Sequence, residues 1–430
     1  MMKKLTKQQQ VVFKNIIKDI NESLEDPIFS NNFISLSGPA GTGKTFLISF
    51  LVRYLKKQNS KIKIFLTSPT HKSLKVIRKM VNQNNLNISY ATIHSFLNLK
   101  LKPNLLEGIQ ELILEKNKKN KKADLLIIDE SSMISEKLFN FIKKAKRIGR
   151  TKVILFVGDP YQLPPVDTKK EDLPVFSLKQ YKLTEIVRQA KDNPIINLSF
   201  QIRERIKSKN FIPIKDLFQN QNKNKNIQIF TNFEKFMNAY FNDPSDKIIG
   251  AYTNKQVENY NFRIRKKLKG DVPYLIPGDK LTLQEPLVEG EEIIHANGET
   301  IEVKDCEKIF DKNVNIYYWK IKDTENKKFK IIDPFSQNKF KEILEMLAII
   351  AKSKKGYEKR KAWEKYFDIK NAFIDVKYNF AVTLHKLQGS TYNNVYLDLR
   401  GLDYLQDKEF LFRLIYVGIT RASEIVRIIL

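Results

Sequence analysis

One eight-residue segment limits the fold of this 430-residue chain more than any other feature. Residues 38–45 read GPAGTGKT, follow the apolar run 33–36 and precede the helical run 46–54. This is the phosphate-binding pattern G-x-x-x-x-G-K-S/T in its strand–loop–helix context. Its glycines let backbone N–H groups turn toward phosphate oxygens, and the N-terminus of the next helix attracts anions. The segment therefore predicts a nucleotide phosphate site, and the flanking runs disfavour a chance match.

Two residues at the end of this segment carry specific expectations. Lys44 should reach the β- and γ-phosphates, and Thr45 should bind Mg²⁺ through its hydroxyl. The residues expected to line the phosphate site are Gly38, Pro39, Ala40, Gly41, Thr42, Gly43, Lys44 and Thr45.

Another apolar run, residues 125–128, ends in two acids, Asp129 and Glu130. At the end of a buried strand, Asp129 would hold Mg²⁺ directly or through water, and Glu130 would polarise the attacking water. A solvated surface pair is the alternative, which the four preceding apolar residues disfavour.

Phosphoryl transfer also needs positive charge where the γ-phosphate departs. Arg188 ends the segment LTEIVR at residues 183–188, and Arg421 ends YVGITR at residues 416–421. From the residues alone, an ordinary surface arginine is the simpler interpretation of each.

Alternating strand-like and helix-like runs indicate parallel α/β layers that occur twice along the chain. Continuous apolar runs lie at residues 33–36, 62–67, 125–128, 153–157, 248–252, 380–384 and 395–397. Amphipathic runs such as 45–57 and 72–81 lie between them. The first set covers about residues 1–190, and the second begins near Lys247, stops near Lys269 and resumes at Phe380.

Two insertions differ from these layers. Residues 97–123 are rich in lysine. Residues 270–379 begin with turn signals between short β-like runs, which predicts a small β-barrel, and continue with a charged helical stretch at 338–367. Tyr357, Trp363, Tyr366 and Phe367 of that stretch either stack on bases or pack in a core.

Composition narrows the class of partner. Lysine and arginine total 76 against 48 acids, a formal charge of +28, which favours a nucleic acid or an acidic membrane surface. AT-rich coding bias toward lysine is the alternative origin of this charge. One cysteine, Cys306, excludes a disulfide within the chain and a cysteine zinc site. Because apolar runs are short and a signal peptide is not recognisable, we expect a soluble, cytoplasmic protein.

In this order, the segments resemble the motifs of the superfamily-one helicases, in the RecD-like 5′-to-3′ branch that includes the Dda-type helicases of T-even phages. The resemblance runs from about Leu5 to the C-terminus. It also rests on LTKQQ at 5–9, TSPTHK at 67–72, YATIHSF at 90–96, GDPYQLPPV at 158–166, AVTLHKLQGS at 381–390 and LIYVGITRA at 414–422.

The resemblance implies an α/β fold with two RecA-like P-loop domains: residues 1–190, with a pin insertion at 97–123, and residues 191–270 with 379–430. It implies an SH3-like β-barrel with a helical extension at 271–378. The implied activity is an ATP-dependent DNA helicase, with ATP and Mg²⁺, that moves 5′ to 3′ on single-stranded DNA in replication, recombination or repair. Forked or tailed duplex DNA is the implied substrate, and a single-strand binding protein or replisome component is an implied partner. A phage-encoded chain would act in the host cytoplasm.

The same resemblance assigns residues to roles. Gln162 would sense the γ-phosphate, Arg188 would be the motif IV arginine, and Arg421 the arginine finger. Gln9 would read adenine, and Gly389 would join the nucleotide site. The implied nucleic-acid contacts are Pro69, Thr70, His71, Thr92, His94, Pro164, Thr383, His385 and Lys386. Core packing is the alternative for each of these histidines.

Two other functions stay open. An RNA helicase would use the same phosphate contacts, and an ATP-gated binding or loading factor would switch without processive unwinding. The pin raises a separate question, because the resembled pin carries an aromatic wedge and residues 97–123 contain no aromatic residue. Leu105, Leu106 or Ile109 would then have to act as an apolar wedge.

Overall fold

The computed structural model describes residues 5–26, 32–81, 86–115, 119–165, 173–187, 193–219, 221, 224–289, 292–295, 297–312 and 314–430. The elements up to residue 182 are α1 (Lys7–Glu25), β1 (Phe33–Ser37), α2 (Lys44–Gln58), β2 (Ile64–Ser68), α3 (His71–Val81), β3 (Ser89–Thr92), α4 (Ile93–Leu97), β4 (Leu99–Asn104), β5 (Ile109–Leu114), β6 (Ala123–Ile128), α5 (Glu136–Arg147), β7 (Thr151–Gly158) and β8 (Lys179–Lys182). Those up to residue 269 are α6 (Pro194–Ser208), α7 (Ile214–Phe218), β9 (Ile227–Phe230), α8 (Phe233–Phe241), β10 (Lys247–Ala251) and α9 (Asn254–Lys269). Those up to residue 378 are β11 (Lys280–Leu283), β12 (Leu287–Glu289), β13 (Glu292–His295), β14 (Thr300–Asp311), β15 (Ile316–Asp323), β16 (Lys328–Ile332), α10 (Gln337–Ser353), α11 (Gly356–Asn371) and β17 (Val376–Tyr378). The last are β18 (Ala381–Thr383), β19 (Tyr392–Asp398), α12 (Lys408–Ile419) and β20 (Ala422–Ile429).

A parallel sheet with the strand order β3-β2-β6-β7-β1-β8 forms the first layer. Its central strands are apolar on both faces because helices cover both. Val153 and Leu155 of β7 belong to one core with residues of α1 and α2. Phe156, which points to the opposite face, packs on Phe139 of α5 with ring centroids 5.8 Å apart. The carboxyl ends of β1, β2, β6 and β7 therefore share one edge, where ligands of such sheets bind.

A second parallel sheet has the order β18-β10-β19-β20-β9. The helix α12 lies against it, and every residue from 411 to 419 is buried. Gly418 allows this close approach, because a Cβ there would lie 2.9 Å from Leu397 of β19. The strand β18 is shorter than the predicted run 380–384. Leu384 lies in a short 3₁₀ turn, where it is buried, and does not pair in the sheet.

Asn98–Lys118 and Glu258–Phe380 form a compact unit of their own. An antiparallel sheet with the order β16-β15-β14-β11-β17 encloses a core that includes Leu281, Val303 and Trp319. The helices α10 and α11 form a hairpin, and the β4–β5 hairpin is antiparallel throughout its length. The inserted segments thus carry the β-barrel-like sheet and the helical stretch that the sequence predicts, and a β-hairpin lies in the predicted pin insertion.

The aromatic cluster of α11 supports the β4–β5 hairpin. Trp363 and Phe367 are each 3% exposed and pack with Leu105 of the hairpin turn. Leu105 is therefore not an exposed wedge, and the packing interpretation of Trp363 and Phe367 is confirmed. Tyr357, in contrast, is 79% exposed. Within the described part of the chain, the helices are too short or too polar to cross a bilayer.

Candidate nucleotide site and nucleic-acid face

The loop between β1 and α2 adopts a backbone that requires its glycines. Gly41 and Gly43 have φ angles of 81° and 78°, in the left-handed region that side chains with a Cβ disfavour. A Cβ at Gly43 would also lie 2.6 Å from Nε2 of Gln9. Gly43 is the N-cap of α2 and provides no side chain to cap the first-turn N–H groups, which favours anion binding there.

Lys44 and Thr45 begin α2, and the ammonium of Lys44 turns back into the loop. Its Nζ donates to the carbonyls of Gly38 at 2.6 Å and Pro39 at 3.0 Å. Burial lowers the pKa of Lys44, while the carboxylates of Asp159, Glu130 and Asp129 act in the opposite direction. Phosphate oxygens are stronger acceptors than carbonyls, so this position suits a triphosphate.

The acids after β6 lie beside Lys44. Burial, together with the neighbouring charge of Glu130, raises the pKa of Asp129 to about 7. A cation would stabilise the ionised carboxylate. Because the described residues contain no group of three or more potential metal-binding side chains, Mg²⁺ would need phosphate oxygens to complete its ligands. The hydroxyl of Thr45 and the carboxylate of Asp129 are oxygen donors of the kind Mg²⁺ prefers.

Glu130 has a strained backbone. Its φ of 51° is in the left-handed region, a conformation that costs roughly 1–3 kcal/mol in a residue other than glycine. Such strain persists only where the surrounding structure imposes it, and it is concentrated at functional sites.

Arg421 brings a cation from the second sheet to these acids. It lies between α12 and β20, is only 7% exposed, and places Nη1 3.7 Å from Oε1 of Glu130. Its Nε donates to the carbonyl of Val417 at 3.3 Å, which fixes the guanidinium against the end of α12. Arg421 therefore faces the acids of the first sheet rather than solvent.

A group of polar contacts joins the loop after β7 to α12. The hydroxyl of Tyr416 donates to Oδ2 of the fully buried Asp159 at 2.5 Å. Nη1 of Arg413 donates to the carbonyls of Pro160 at 2.7 Å and Gln162 at 2.8 Å. The segment that carries Gln162 is thus held by side chains of the second sheet's helix.

Two glutamines meet across the same boundary. Nε2 of Gln388 donates to Oε1 of Gln162 at 3.2 Å and to Oγ of Ser132 at 3.1 Å. Ser132 lies two residues beyond Glu130 in the chain. Gln388 consequently connects the acids of β6 and the segment after β7 with the segment that follows β18.

Gln9 connects the start of α1 to the phosphate loop. Its Oε1 accepts the N–H of Thr6 at 3.0 Å in a capping box, and its Nε2 donates to the carbonyl of Thr42 at 2.9 Å. Thr42 is itself buried and donates to the carbonyl of Pro39 at 2.9 Å. The side chain of Gln9 thus already has partners on both of its polar atoms.

Comparisons with known proteins find helicase domains along the chain. The chain matches an AAA domain over residues 22–168, a Dda helicase SH3 domain over 272–378 and a UvrD-like helicase C-terminal domain over 378–429. It is 28% identical over 457 residues to the ATP-dependent DNA helicase dda of Enterobacteria phage T4, covering 97% of both chains. These matches show that the chain is a helicase similar to Dda. The predicted fold class, with P-loop sheets and an SH3-like domain, is confirmed.

Solved helicase structures share the fold. The Pif1 helicase of Candida albicans matches with a TM-score of 0.51 and 15% identity, over 100% of this chain and 94% of that one. The Pif1 helicase of Bacteroides, in complex with ADP-AlF3 and single-stranded DNA, matches with a TM-score of 0.51 and 16% identity, over 99% and 92%.

In the helicase, Pro69 and Thr70 lie between β2 and α3, and His71 begins α3. Oγ1 of Thr70 lies 2.6 Å from Oγ of Ser73, and a Cβ at Gly389 would lie 3.3 Å from the same Thr70 oxygen. Gly389, which the resemblance assigns to the nucleotide site, therefore lies against the predicted nucleic-acid residue Thr70.

Two lysines share a location on this face. Burial lowers the pKa of Lys72, and the positive charge of Lys386 lowers it further. A nucleic-acid phosphate bound between the two lysines would offset the repulsion that Lys386 exerts on the charged form of Lys72. Lys72 lies within the TSPTHK segment, although the resemblance did not assign it as a contact.

The remaining residues predicted to contact nucleic acid are buried or half-buried. Oγ1 of Thr92 accepts the N–H of Ser95 at 3.2 Å and so caps α4. Burial lowers the pKa of both His94 and His385, and the His385 ring lies 5.5 Å from that of Phe410. Thr383 ends β18 and Pro164 lies two residues beyond Gln162, and both are half-buried.

Arg188 lies outside the described residues. Sequence reasoning also missed residues that the structure brings to the site: Ser132, Asp159, Arg203, Gln388, Arg413 and Tyr416. Asp159, Gln388 and Tyr416 lie inside segments already recognised as motifs, so their sequence signal was present. The contact that each of them makes could not be predicted from that signal.

Proposed function

We propose that this helicase hydrolyses ATP to move 5′ to 3′ along single-stranded DNA and to separate duplex DNA in replication, recombination or repair. The observation that supports the proposal is the 3.7 Å distance between Arg421, from the second sheet, and Glu130, from the first. A site divided between two domains lets one nucleotide change the relation between them, which a motor requires.

Within that site the proposed roles follow from position. The loop N–H groups and Lys44 bind the phosphates, Glu130 orients the attacking water, and Arg421 neutralises charge that develops on the transferred phosphoryl group. Thr45 and Asp129 would hold Mg²⁺, which when bound neutralises charge on the phosphate oxygens. Arg188 is proposed as a further cation, as the motif IV resemblance implies. Gln9 is proposed to border the adenine pocket.

The proposed coupling uses the glutamine pair. Gln162 detects whether the terminal phosphate is present, and Gln388, 3.2 Å away, carries that difference to the segment after β18. This segment includes Thr383, His385 and Lys386. Because Gly389 lies against Thr70, a shift of the second sheet changes the face formed by Pro69, Thr70 and His71. Thr92, His94 and Pro164 complete the proposed DNA face.

The β4–β5 hairpin is the proposed pin. Leu106 and Ile109 at its turn are 64% and 48% exposed, and they are proposed to wedge between base pairs. The division into residues 1–190, 191–270 with 379–430, and 271–378 stays a prediction. So do the partners proposed from the resemblance, a single-strand binding protein or replisome component, and the cytoplasmic location.

Tailed duplexes test the proposal. With ATP and Mg²⁺, the helicase should separate a DNA duplex with a 5′ single-stranded tail and should leave the 3′-tailed duplex intact. Equal separation of both duplexes would contradict the direction. ATP hydrolysis without any strand separation would favour the loading factor, and a preference for an RNA tracking strand would favour an RNA helicase. The name of the T4 relative supports DNA.

A further inference from the structure

Arg203 is a mostly buried cation that none of the recognised motifs contains. It lies on α6, and its guanidinium is 4.5 Å from the ring centre of Tyr161. Nε of Arg203 is buried and makes no hydrogen bond to any residue that the structure describes. Its ion pair with Oδ1 of Asp159 is 3.9 Å long, beyond hydrogen-bond distance.

Asp159 does not satisfy this guanidinium because other donors occupy the carboxylate. Oδ2 accepts the hydroxyl of Tyr416 at 2.5 Å, and Oδ1 accepts the N–H of Tyr161 at 3.1 Å. A buried charged donor without an acceptor is costly to leave in place. Arg203 thus has a donor available next to a carboxylate that is already well paired.

The phosphate loop lies on the other side of the same group. The backbone N–H of Ala40 bonds to the hydroxyl of Tyr416, which is also the partner of Asp159. Arg203 therefore pairs with a carboxylate that is joined through Tyr416 to the phosphate loop.

We propose that Arg203 binds the terminal phosphate of ATP, as a second cation from the second sheet's side of the site besides Arg421. The inference rests on the proposed function of this site and adds a residue that distinguishes bound ATP from bound ADP. A phosphate oxygen would give the buried Nε a charge-assisted acceptor, which a planar guanidinium accommodates well. ADP lacks that phosphate, so Arg203 should strengthen the binding of the triphosphate alone.

Binding of two fluorescent nucleotides tests this assignment. In Arg203→Ala, affinity for a non-hydrolysable, mant-labelled AMP-PNP should fall about tenfold or more, the loss expected for one charged hydrogen bond, while mant-ADP affinity changes by less than about twofold. Arg205→Ala, on the same helix, is the matched control and should change neither. Arg203→Lys keeps the charge and most of the side chain, so it should recover part of the AMP-PNP affinity if Arg203→Ala proves unstable.

An indirect role, in which Arg203 acts only through Asp159, predicts a different result. If Arg203 only positions Asp159, then Asp159→Asn should reproduce the loss and the double variant should show no further loss, which would overturn the proposal. Equal weakening of AMP-PNP and ADP, or no weakening, would also overturn it. If the unmodified chain binds neither nucleotide, the proposed function itself fails. If it binds both and Arg203→Ala does too, only the assignment of Arg203 fails.

Discussion

The nucleotide site and the β4–β5 hairpin are held in place by different kinds of interaction. At the nucleotide site, charged and polar groups contact each other across two sheets, as in the 3.7 Å approach of Arg421 to Glu130. The hairpin turn instead rests on an apolar surface, the indole of Trp363. The position of charged groups determines the rate of phosphoryl transfer. Strand separation by the hairpin instead requires that the hairpin be rigidly supported. Variants of the site should therefore lose hydrolysis and unwinding together, and variants of the hairpin should lose unwinding alone.

The largest effect is expected for Lys44→Ala. Removing the ammonium that lies inside the phosphate loop should lower ATP hydrolysis by more than about 10³-fold, because charge stabilisation of the transferred group is lost. Single-stranded DNA binding, measured by fluorescence anisotropy, should change little. Lys57→Ala, at the exposed end of α2, is the control. Wild-type hydrolysis in Lys44→Ala would show that the loop does not bind the reacting nucleotide.

Arg421→Ala comes next. An arginine that neutralises the transition state is worth roughly 10³–10⁵ in rate, so we expect kcat to fall by about 10³-fold in a DNA-stimulated ATPase assay. Arg147→Ala, exposed on α5, should leave the rate unchanged. A loss confined to ATP affinity, with kcat intact, would mean that Arg421 binds the ground state and has no special role in the transition state.

Gln388→Leu should weaken the link between hydrolysis and DNA. The change removes the donor to Gln162 and Ser132, and an unpaired buried group costs roughly 1–3 kcal/mol. We expect the stimulation of ATPase by single-stranded DNA to fall about tenfold, the equivalent of 1.4 kcal/mol, and the DNA-free rate to fall less. Gln201→Leu on the exposed side of α6 provides the comparison. Full stimulation in Gln388→Leu would exclude the glutamine pair as the coupling path.

The two regions also differ in what could be predicted from sequence. Lys44 and Asp129 are recognisable because a few neighbouring residues define their motifs. The buried strands are recognisable because they are continuously apolar. The contacts of Tyr416 with Asp159 and of Gln388 with Ser132 join residues 257 and 256 positions apart, so no local pattern encodes them. Trp363 and the hairpin turn that it supports are similarly far apart in the chain. The residue type of Glu130 does not indicate its strained backbone.

Gly108→Ala should separate the two activities. Gly108 has a φ of 71°, and a Cβ there would overlap the indole of Trp363. The clash should displace the hairpin turn and lower unwinding of 5′-tailed DNA several-fold, while DNA-stimulated hydrolysis stays near wild type. Gly149→Ala is a close control, because Gly149 has a φ of 72° and a Cβ there meets no described atom within 4 Å. An equal loss in both variants would assign the effect to backbone strain rather than to contact with Trp363.

The smallest effect is expected at the exposed turn itself. Leu106 is 64% exposed, so Leu106→Ala removes little packing, and its consequence should appear only where the side chain meets DNA. If an apolar wedge separates base pairs, unwinding should slow by about twofold, and more when Ile109→Ala is added. Leu101, on β4 of the same hairpin, is 60% exposed, and Leu101→Ala should leave unwinding unchanged. Equal slowing by Leu101→Ala and Leu106→Ala would mean that the hairpin acts as a rigid obstacle, whose shape matters more than the side chains at its turn.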